Sequence, residues 1–320
     1  MHAIRVTRFG GPDVLQLANV PDPTPNPGEV MIRVHAVGVN PVETYLRSGQ
    51  YTPLPELPFT PGSDAAGVVE SVGAGVSRFQ PGDRVYTHGS RTGSYAERTV
   101  ARIAQVEPLP DGVSFAQGAA LGIPYATAHR ALFGRARLQP QEFVLIHGAS
   151  GGVGLAAIQL AAAFGARVAG TAGRNAGAEH VAAAGAERVM NHHQPDYLEA
   201  IREWTNGHGV DVIIEMLANV NLGWDLTLLA RSGRVIVVGS RGPVEINARE
   251  LMTRDAEVRG MILGQATPTE LSLIHESLRV GLDNGCLRPV IGDTLPLGAA
   301  AEAHVRVMAA GKRGKIVLIP

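Results

Sequence analysis

The sequence predicts an α/β protein of two domains: a turn-rich β domain, then a doubly wound parallel sheet with helices on both faces. Three observations lead there. At 320 residues the chain suits two compact domains better than one. Its first part consists of short β-like runs separated by Pro and Gly clusters. From near Gly118 onward, apolar strands alternate with helical segments, the pattern of a parallel sheet.

In chain order, Val30 to Val34, Gly67 to Val72 and Arg84 to Thr87 read as strands of a barrel-like domain. Pro21 to Gly28 (PDPTPNPG) is a loop, and Pro81-Gly82-Asp83 is a turn. Phe143 to His147 is a buried-strand run, and a helix follows from Gly152 to Phe164. Further strands are expected at Arg167 to Thr171, Arg188 to Met190, Val210 to Met216, Arg234 to Val238 and Val258 to Leu263, which completes a six-stranded sheet. Residues 268 to 284 read as helix, as does Ala299 to Ala309, and Lys315 to Ile319 as a last strand. That strand has no evident partner in the α/β part, so the C-terminal segment is assigned back to the first domain. The expected boundaries are 1–121 with 265–320, and 122–264.

Composition narrows the function classes. Net charge is −1, with no basic stripe for RNA or an acidic membrane surface. One cysteine, Cys286, makes neither an internal disulfide nor a Cys-rich zinc site, in keeping with a reducing cytoplasm. The start, MHAIRVTRFGG, shows no apolar signal segment. The Ala-rich stretch Leu155 to Gly173 is broken by Gln159 and Arg167, and reads as packed helix and strand rather than a membrane span. Apart from Lys312 and Lys315 every basic residue is arginine, which reads as coding bias.

The sharpest local signal is Gly148-Ala149-Ser150-Gly151-Gly152-Val153-Gly154, between a strand and a helix. Small residues let the backbone approach a pyrophosphate, and the helix N-terminus offers N–H groups and a positive dipole end. Ala149, Gly151 and Gly154 fill the three glycine slots of the dinucleotide fingerprint. A purely structural Gly-rich turn is the alternative. NAD sites usually carry an acid at the end of the second strand, about 20 residues past the glycines. Here that strand ends Thr171-Ala172-Gly173-Arg174, with no carboxylate. A 2′-phosphate beside Arg174 meets no anion, so NADPH is expected over NADH; Arg174 as a solvated surface residue is the alternative.

Further stretches resemble the zeta-crystallin-like quinone oxidoreductases, the zinc-free branch of the medium-chain dehydrogenase/reductase superfamily. They are Asn40 to Tyr45 (NPVETY), Thr60 to Asp64 (TPGSD), Gly122 to Tyr125 (GIPY), His147 to Gly154, Glu215 to Asn221 (EMLANVN) and Arg234 to Arg241 (RVIVVGSR). The resemblance covers essentially the whole chain. It implies a GroES-like catalytic β domain joined to a Rossmann domain. It also implies that Tyr45 lies at the nicotinamide and that Ser150, Gly151, Gly152 and Val153 hold the pyrophosphate. Gly173 and His192 would flank the adenosine ribose and its phosphate; Asn221 with Val238, Gly239, Ser240 and Arg241 would wall the nicotinamide ribose. Met261, Ile262 and Leu263 would contact the carboxamide end. Relatives often carry a lysine where this chain has Gly177, so Arg174 is its candidate substitute.

The resemblance also bears on metal. Zinc-dependent relatives use a cysteine near residue 40 and a Gly-His-Glu segment near residue 63; this chain has Asn40 and Ser63-Asp64. His35, His88, His129 and His147 show no ligand spacing, and no metal is expected. Without a Lewis acid, oxidation of a simple alcohol is poorly supported, whereas a quinone or enone accepts hydride with little help. The expected reaction is NADPH-dependent quinone reduction in the interdomain cleft. Asn40 would donate a hydrogen bond to the acceptor carbonyl and Tyr45 would close over the nicotinamide. Asn40 as a turn residue before Pro41, and Tyr45 as a core aromatic, are the bland alternatives. Tyr125 and Thr127 are further candidates for the wall of the cofactor cleft. Rival functions are an alkenal, enone or enoyl reductase, and an RNA-binding or crystallin-like structural role. A homodimer or homotetramer is expected, since the sixth strand would expose an apolar edge.

Overall fold

A computed structural model describes every residue of the chain except Arg174 and Lys312. It divides into two compact units, residues 1–123 with 289–320, and residues 124–288.

The first unit is built on β strands. β1 (His2–Arg5) pairs with β2 (Gln16–Asn19). β3 (Glu29–Gly38), α1 (Pro41–Ser48), β4 (Asp64–Val72), β5 (Arg84–His88), β6 (Arg98–Arg102), β7 (Val106–Pro108) and the short α2 (Phe115–Gly118) come next. β3 is the hub: β4 and β6 both pair with it antiparallel. Its alternating Val30, Ile32, Val34 and Ala36 face inward, the period-two pattern of a half-buried strand.

α3 (Gly122–His129) leads into the second unit. Its elements are β8 (Phe143–Ile146), α4 (Gly152–Ala163), β9 (Arg167–Thr171), α5 (Asn175–Ala183), β10 (Arg188–Met190), α6 (Tyr197–Trp204), β11 (Val210–Glu215), α7 (Ala218–Leu228), β12 (Leu229–Val237), α8 (Ala248–Met252), β13 (Glu257–Gly260) and α9 (Pro268–Asp283). The sheet order is β10-β9-β8-β11-β12-β13, all parallel. This is the doubly wound order, with the chain reversing direction between β8 and β11, where such sheets bind ligands. α4 is apolar nearly all round and buried from Gly154 to Ala161, as a helix packed on a sheet must be.

The chain then returns to the first unit with β14 (Ile291–Pro296), α10 (Ala300–Met308) and β15 (Lys315–Ile319). β15 pairs with β3, which supplies the partner the sequence left open. Val37, Leu297, Ala300, Val307 and Leu318 share one core there.

One boundary differs from the sequence reading. Residues 265–288, assigned to the first domain, belong to the second unit. Contacts made by α9 and by the residues on either side of it hold them there. Arg130 donates to the carbonyls of Ile262 (2.9 Å) and Gln265 (3.4 Å) and pairs with Glu270 at 3.6 Å. The Gln159 carboxamide both donates to Arg288 O (2.9 Å) and accepts from Arg288 N (2.8 Å). Leu278 and Leu282 of α9 are buried. No helix is long and apolar enough to cross a membrane among the described residues.

Candidate functional site

The phosphate loop lies between β8 and α4. Gly148 takes φ 57°, a left-handed value suited to glycine. The loop is laced to β9: Gly148 N donates to Thr171 Oγ1 (3.2 Å) and Ala149 N to Thr171 O (3.0 Å). A Cβ at Gly154 would lie 2.6 Å from both Ala149 Cα and Gly148 O, so this glycine is required for close approach of helix and loop. Ser150 is buried, while Gly151, Gly152 and Val153 are half-buried at the start of α4. Helix N-terminal N–H groups there have no intrahelical partner and suit a phosphate. The loop and helix start therefore fit a dinucleotide.

At the tip of β9, a Cβ on Gly173 would lie 2.6 Å from His193 Nε2 and 2.9 Å from His192 Nε2. Both imidazoles thus border the glycine, whereas the sequence singles out His192 alone. Their rings are 4.4 Å apart. Burial, then the neighbouring His193 and His147, holds His192 below the usual histidine range. Arg174, the expected partner of a 2′-phosphate, lies outside the described residues.

The far wall is held by β11 and β12. Val238 N donates to Glu215 O (2.8 Å), and Gly239 could carry no Cβ, which would lie 2.5 Å from Met216 O. Asn221 Nδ2 donates to Glu215 Oε1 at 3.2 Å. Ser240 and Arg241 are exposed, with Arg241 N donating to Asn219 Oδ1 at 2.9 Å. Met261 is buried and its N–H donates to Val237 O (3.0 Å); Ile262 is exposed and Leu263 half-buried. Thr127 is buried on α3. Tyr125 is a core residue rather than a wall: it is buried, and its hydroxyl donates to Gln159 Oε1 at 2.8 Å.

Behind this wall is a cluster the sequence concealed. His147, Glu215 and Asp225 are all buried, with their polar atoms within 4.8 Å of one another. In the sequence His147 reads as one scattered histidine; 68 residues separate it from its first partner in the chain, and no local spacing marks the set.

In the first unit, Tyr45 is half-buried on α1. That helix starts with Pro41, has the Asn40 N–H held by Glu43 Oε2 at 2.9 Å, and ends at Gly49 with φ 79°. Asn40 is placed differently from expectation. Its carboxamide is buried and fully engaged: Nδ2 donates to Asp64 Oδ2 (2.9 Å) and Glu43 Oε1 (3.3 Å), and Oδ1 accepts from Lys315 Nζ. No amide hydrogen is left for an acceptor carbonyl, so the assignment of Asn40 as that donor is corrected: it holds an internal network together.

That network is dense. Lys315 Nζ also reaches Asp64 Oδ2 (3.2 Å), and Asp64 Oδ1 accepts from Ile123 N (2.9 Å). Tyr95 OH donates to Glu43 Oε2 (2.6 Å) and lies 3.1 Å from His304 Nε2. Burial raises the Asp64 carboxyl, with Lys315 and the bond from Asn40 pulling the other way. Burial pushes Glu43 up to about 7 against the same kinds of bonds.

Known proteins share this architecture. Residues 26–111 match the alcohol dehydrogenase GroES-like domain family and residues 152–276 the zinc-binding dehydrogenase family, which together define a medium-chain dehydrogenase/reductase. A human quinone oxidoreductase is 49% identical over 100% of this chain and 98% of its own length. Among solved structures, an Escherichia coli quinone oxidoreductase complexed with NADPH is 32% identical with TM-score 0.89, covering 100% of both chains. An NAD-dependent alcohol dehydrogenase is 31% identical with TM-score 0.92, also over 100% of both. The chain belongs to the quinone oxidoreductase family.

Proposed function

We propose that this chain reduces quinones with NADPH and needs no zinc to do so. The observation that carries the reading is the tip of β9: Gly173 bordered by two imidazoles, with no carboxylate in Thr171-Ala172-Gly173-Arg174 to repel a 2′-phosphate. The complex of the Escherichia coli relative with NADPH supports the same cofactor. Bound NADPH supplies the hydride. The chain's residues orient it: the phosphate loop and the α4 N-terminus bind the pyrophosphate, Asn221 and the Val238–Arg241 turn hold the nicotinamide ribose, and Met261 to Leu263 fix the carboxamide end. By the resemblance to the family, Tyr45 of the first unit is the residue assigned to the nicotinamide.

Zinc does not fit beside Asn40. The Lys315 ammonium is already bonded to Asn40 and Asp64, so a divalent ion there would face a buried cation. A quinone needs no such Lewis acid, being already electrophilic. A homo-oligomer assembled through the second unit is part of the proposal. β13 is the edge strand of its sheet, and Val258, Ile262, Met252 and Trp224 are exposed apolar residues on this unit. The cytoplasm is the proposed location.

Calorimetric titration with NADPH and NADH, then turnover on an ortho-quinone and a 2-alkenal, tests the reading. NADPH preference with quinone turnover in zinc-free protein is expected. Turnover of the alkenal alone would replace quinone reduction with enone reduction, and stoichiometric zinc needed for turnover would refute the metal-free route. Light scattering at micromolar concentration is expected to give a dimer or tetramer.

A further inference from the structure

His147 follows β8, Glu215 ends β11, and the two strands are neighbours, with Ile214 paired to Ile146. α7 follows β11 and packs on it, which brings Asp225 to the same point. His147 Nε2 lies 2.8 Å from Asp225 Oδ1 and 3.6 Å from Glu215 Oε2. All three side chains are at least 95% buried.

The hydrogen bonds around them are incomplete in an informative way. His147 Nδ1 lies 3.3 Å from Thr171 Oγ1, the same oxygen that accepts from Gly148 N of the phosphate loop. Glu215 Oε1 accepts from Leu217 N and from Asn221 Nδ2. Glu215 Oε2 and Asp225 Oδ2 are buried with no hydrogen-bond partner among the described residues. An unpaired buried carboxylate oxygen is costly, and two carboxylates facing one imidazole leave one charge uncompensated. One additional proton, shared between the carboxyls, satisfies both oxygens and balances the charge against an imidazolium.

We propose that His147, Asp225 and Glu215 are positioning residues that share protons, tie the phosphate loop to the Asn221 wall, and favour cofactor binding while Glu215 is protonated. This rests on the NADPH reading above. Loss of the proton leaves a net buried negative charge directly behind Asn221 and Leu217, and adds repulsion toward an anionic dinucleotide. Titration is consistent with the geometry. Burial pushes Glu215 up to about 7, with Asp225 adding to that and His147 opposing it. Burial works against a charged His147, but the Asp225 charge and hydrogen bond and the Glu215 charge raise it overall. Among the described residues, the other titratable groups facing the cluster are His192, toward His147, and Tyr197, toward both carboxyls.

The test is NADPH affinity by fluorescence for wild type and Glu215→Gln between pH 6 and pH 8.5. The 2′-phosphate titrates in this range too, but its effect cancels in the ratio of the two dissociation constants. That ratio, wild type over variant, is expected to rise at least about threefold across the range. A second measurement needs no cofactor: ¹⁵N chemical shifts of the His147 ring. The ring is expected to be doubly protonated at pH 7 in wild type and to lose its second proton at lower pH in Asp225→Asn than in wild type. A flat ratio, or a neutral His147 ring at pH 7 in wild type, overturns the proposal. Failure of wild type to bind NADPH at any pH would sink the cofactor assignment, while the ring shifts would still decide the proton sharing.

Discussion

Removing the Lys315 ammonium is the most demanding check on the first unit. Its Nζ bonds to Asn40 and, at 3.2 Å, to Asp64, with the lysine side chain 4% exposed and the aspartate 0%. Lys315→Met keeps most of the apolar stem but leaves Asp64 without its cation. Breaking a buried pair from one side costs roughly 3–5 kcal/mol, because the remaining charge stays buried and uncompensated. For a unit of this size each kcal/mol lowers the melting temperature by roughly 2–4 °C, so a fall of roughly 6–20 °C is expected by differential scanning calorimetry at pH 7. Asp64→Asn in the same chain removes the stranded charge while keeping an acceptor for Ile123 N. The double variant should therefore recover most of the loss. A single variant that melts within about 2 °C of wild type, or a double variant less stable than Lys315→Met alone, would show that this ion pair does not govern the unit.

Other consequences can be measured directly. Gly154→Ala forces a Cβ to within 2.6 Å of loop backbone, so NADPH affinity should fall at least about tenfold by titration; a change under twofold would clear the loop of a role. Glu43 and His304 should bend the stability curve in opposite directions. The folded Glu43 carboxyl sits up near about 7, so the stability it contributes is complete below its unfolded value of 4.5 and lost as pH rises through 7. Glu43→Gln should therefore gain on wild type over that window. Burial holds His304 down to about 3, so its contribution is complete above 6.5 and lost as pH falls toward 3. His304→Gln should gain on the acid side; melting curves that run parallel to wild type at every pH would contradict both. Tyr45→Ala should raise the NADPH KM several-fold while Tyr45→Phe changes it little, if the ring and not the hydroxyl does the packing; equal losses in steady-state kinetics would assign the role to the hydroxyl.

The features legible in the sequence are those that are local in the chain. Arg167–Thr171, Arg188–Met190 and Lys315–Ile319 are each expected as strands over the residues observed, since short apolar runs between turn signals depend on neighbours a few residues away. The phosphate loop is legible for the same reason. The end of the second unit is not: the affiliation of α9 depends on Arg130 and Gln159, more than a hundred residues upstream. Asn40 misleads because it stands where zinc-dependent relatives carry a cysteine, which says nothing of a lysine 275 positions later. His147 gives no sign for a similar reason, its partners being supplied by a neighbouring strand and the helix beyond it.

The pairing of β15 with β3 has a consequence for how the molecule is made. The first unit begins at residue 1, yet its sheet gains that partner, and Asp64 its cation, only after residue 315 has left the ribosome. The intervening second unit is contiguous in the chain and is free to form while synthesis continues. The opening strands must therefore wait, with the Val37–Gly38 end of β3 unpaired on one side, for the final stretch of polypeptide. Nascent chains stalled before β15 should be the ones most readily captured by chaperones and most easily cut by protease.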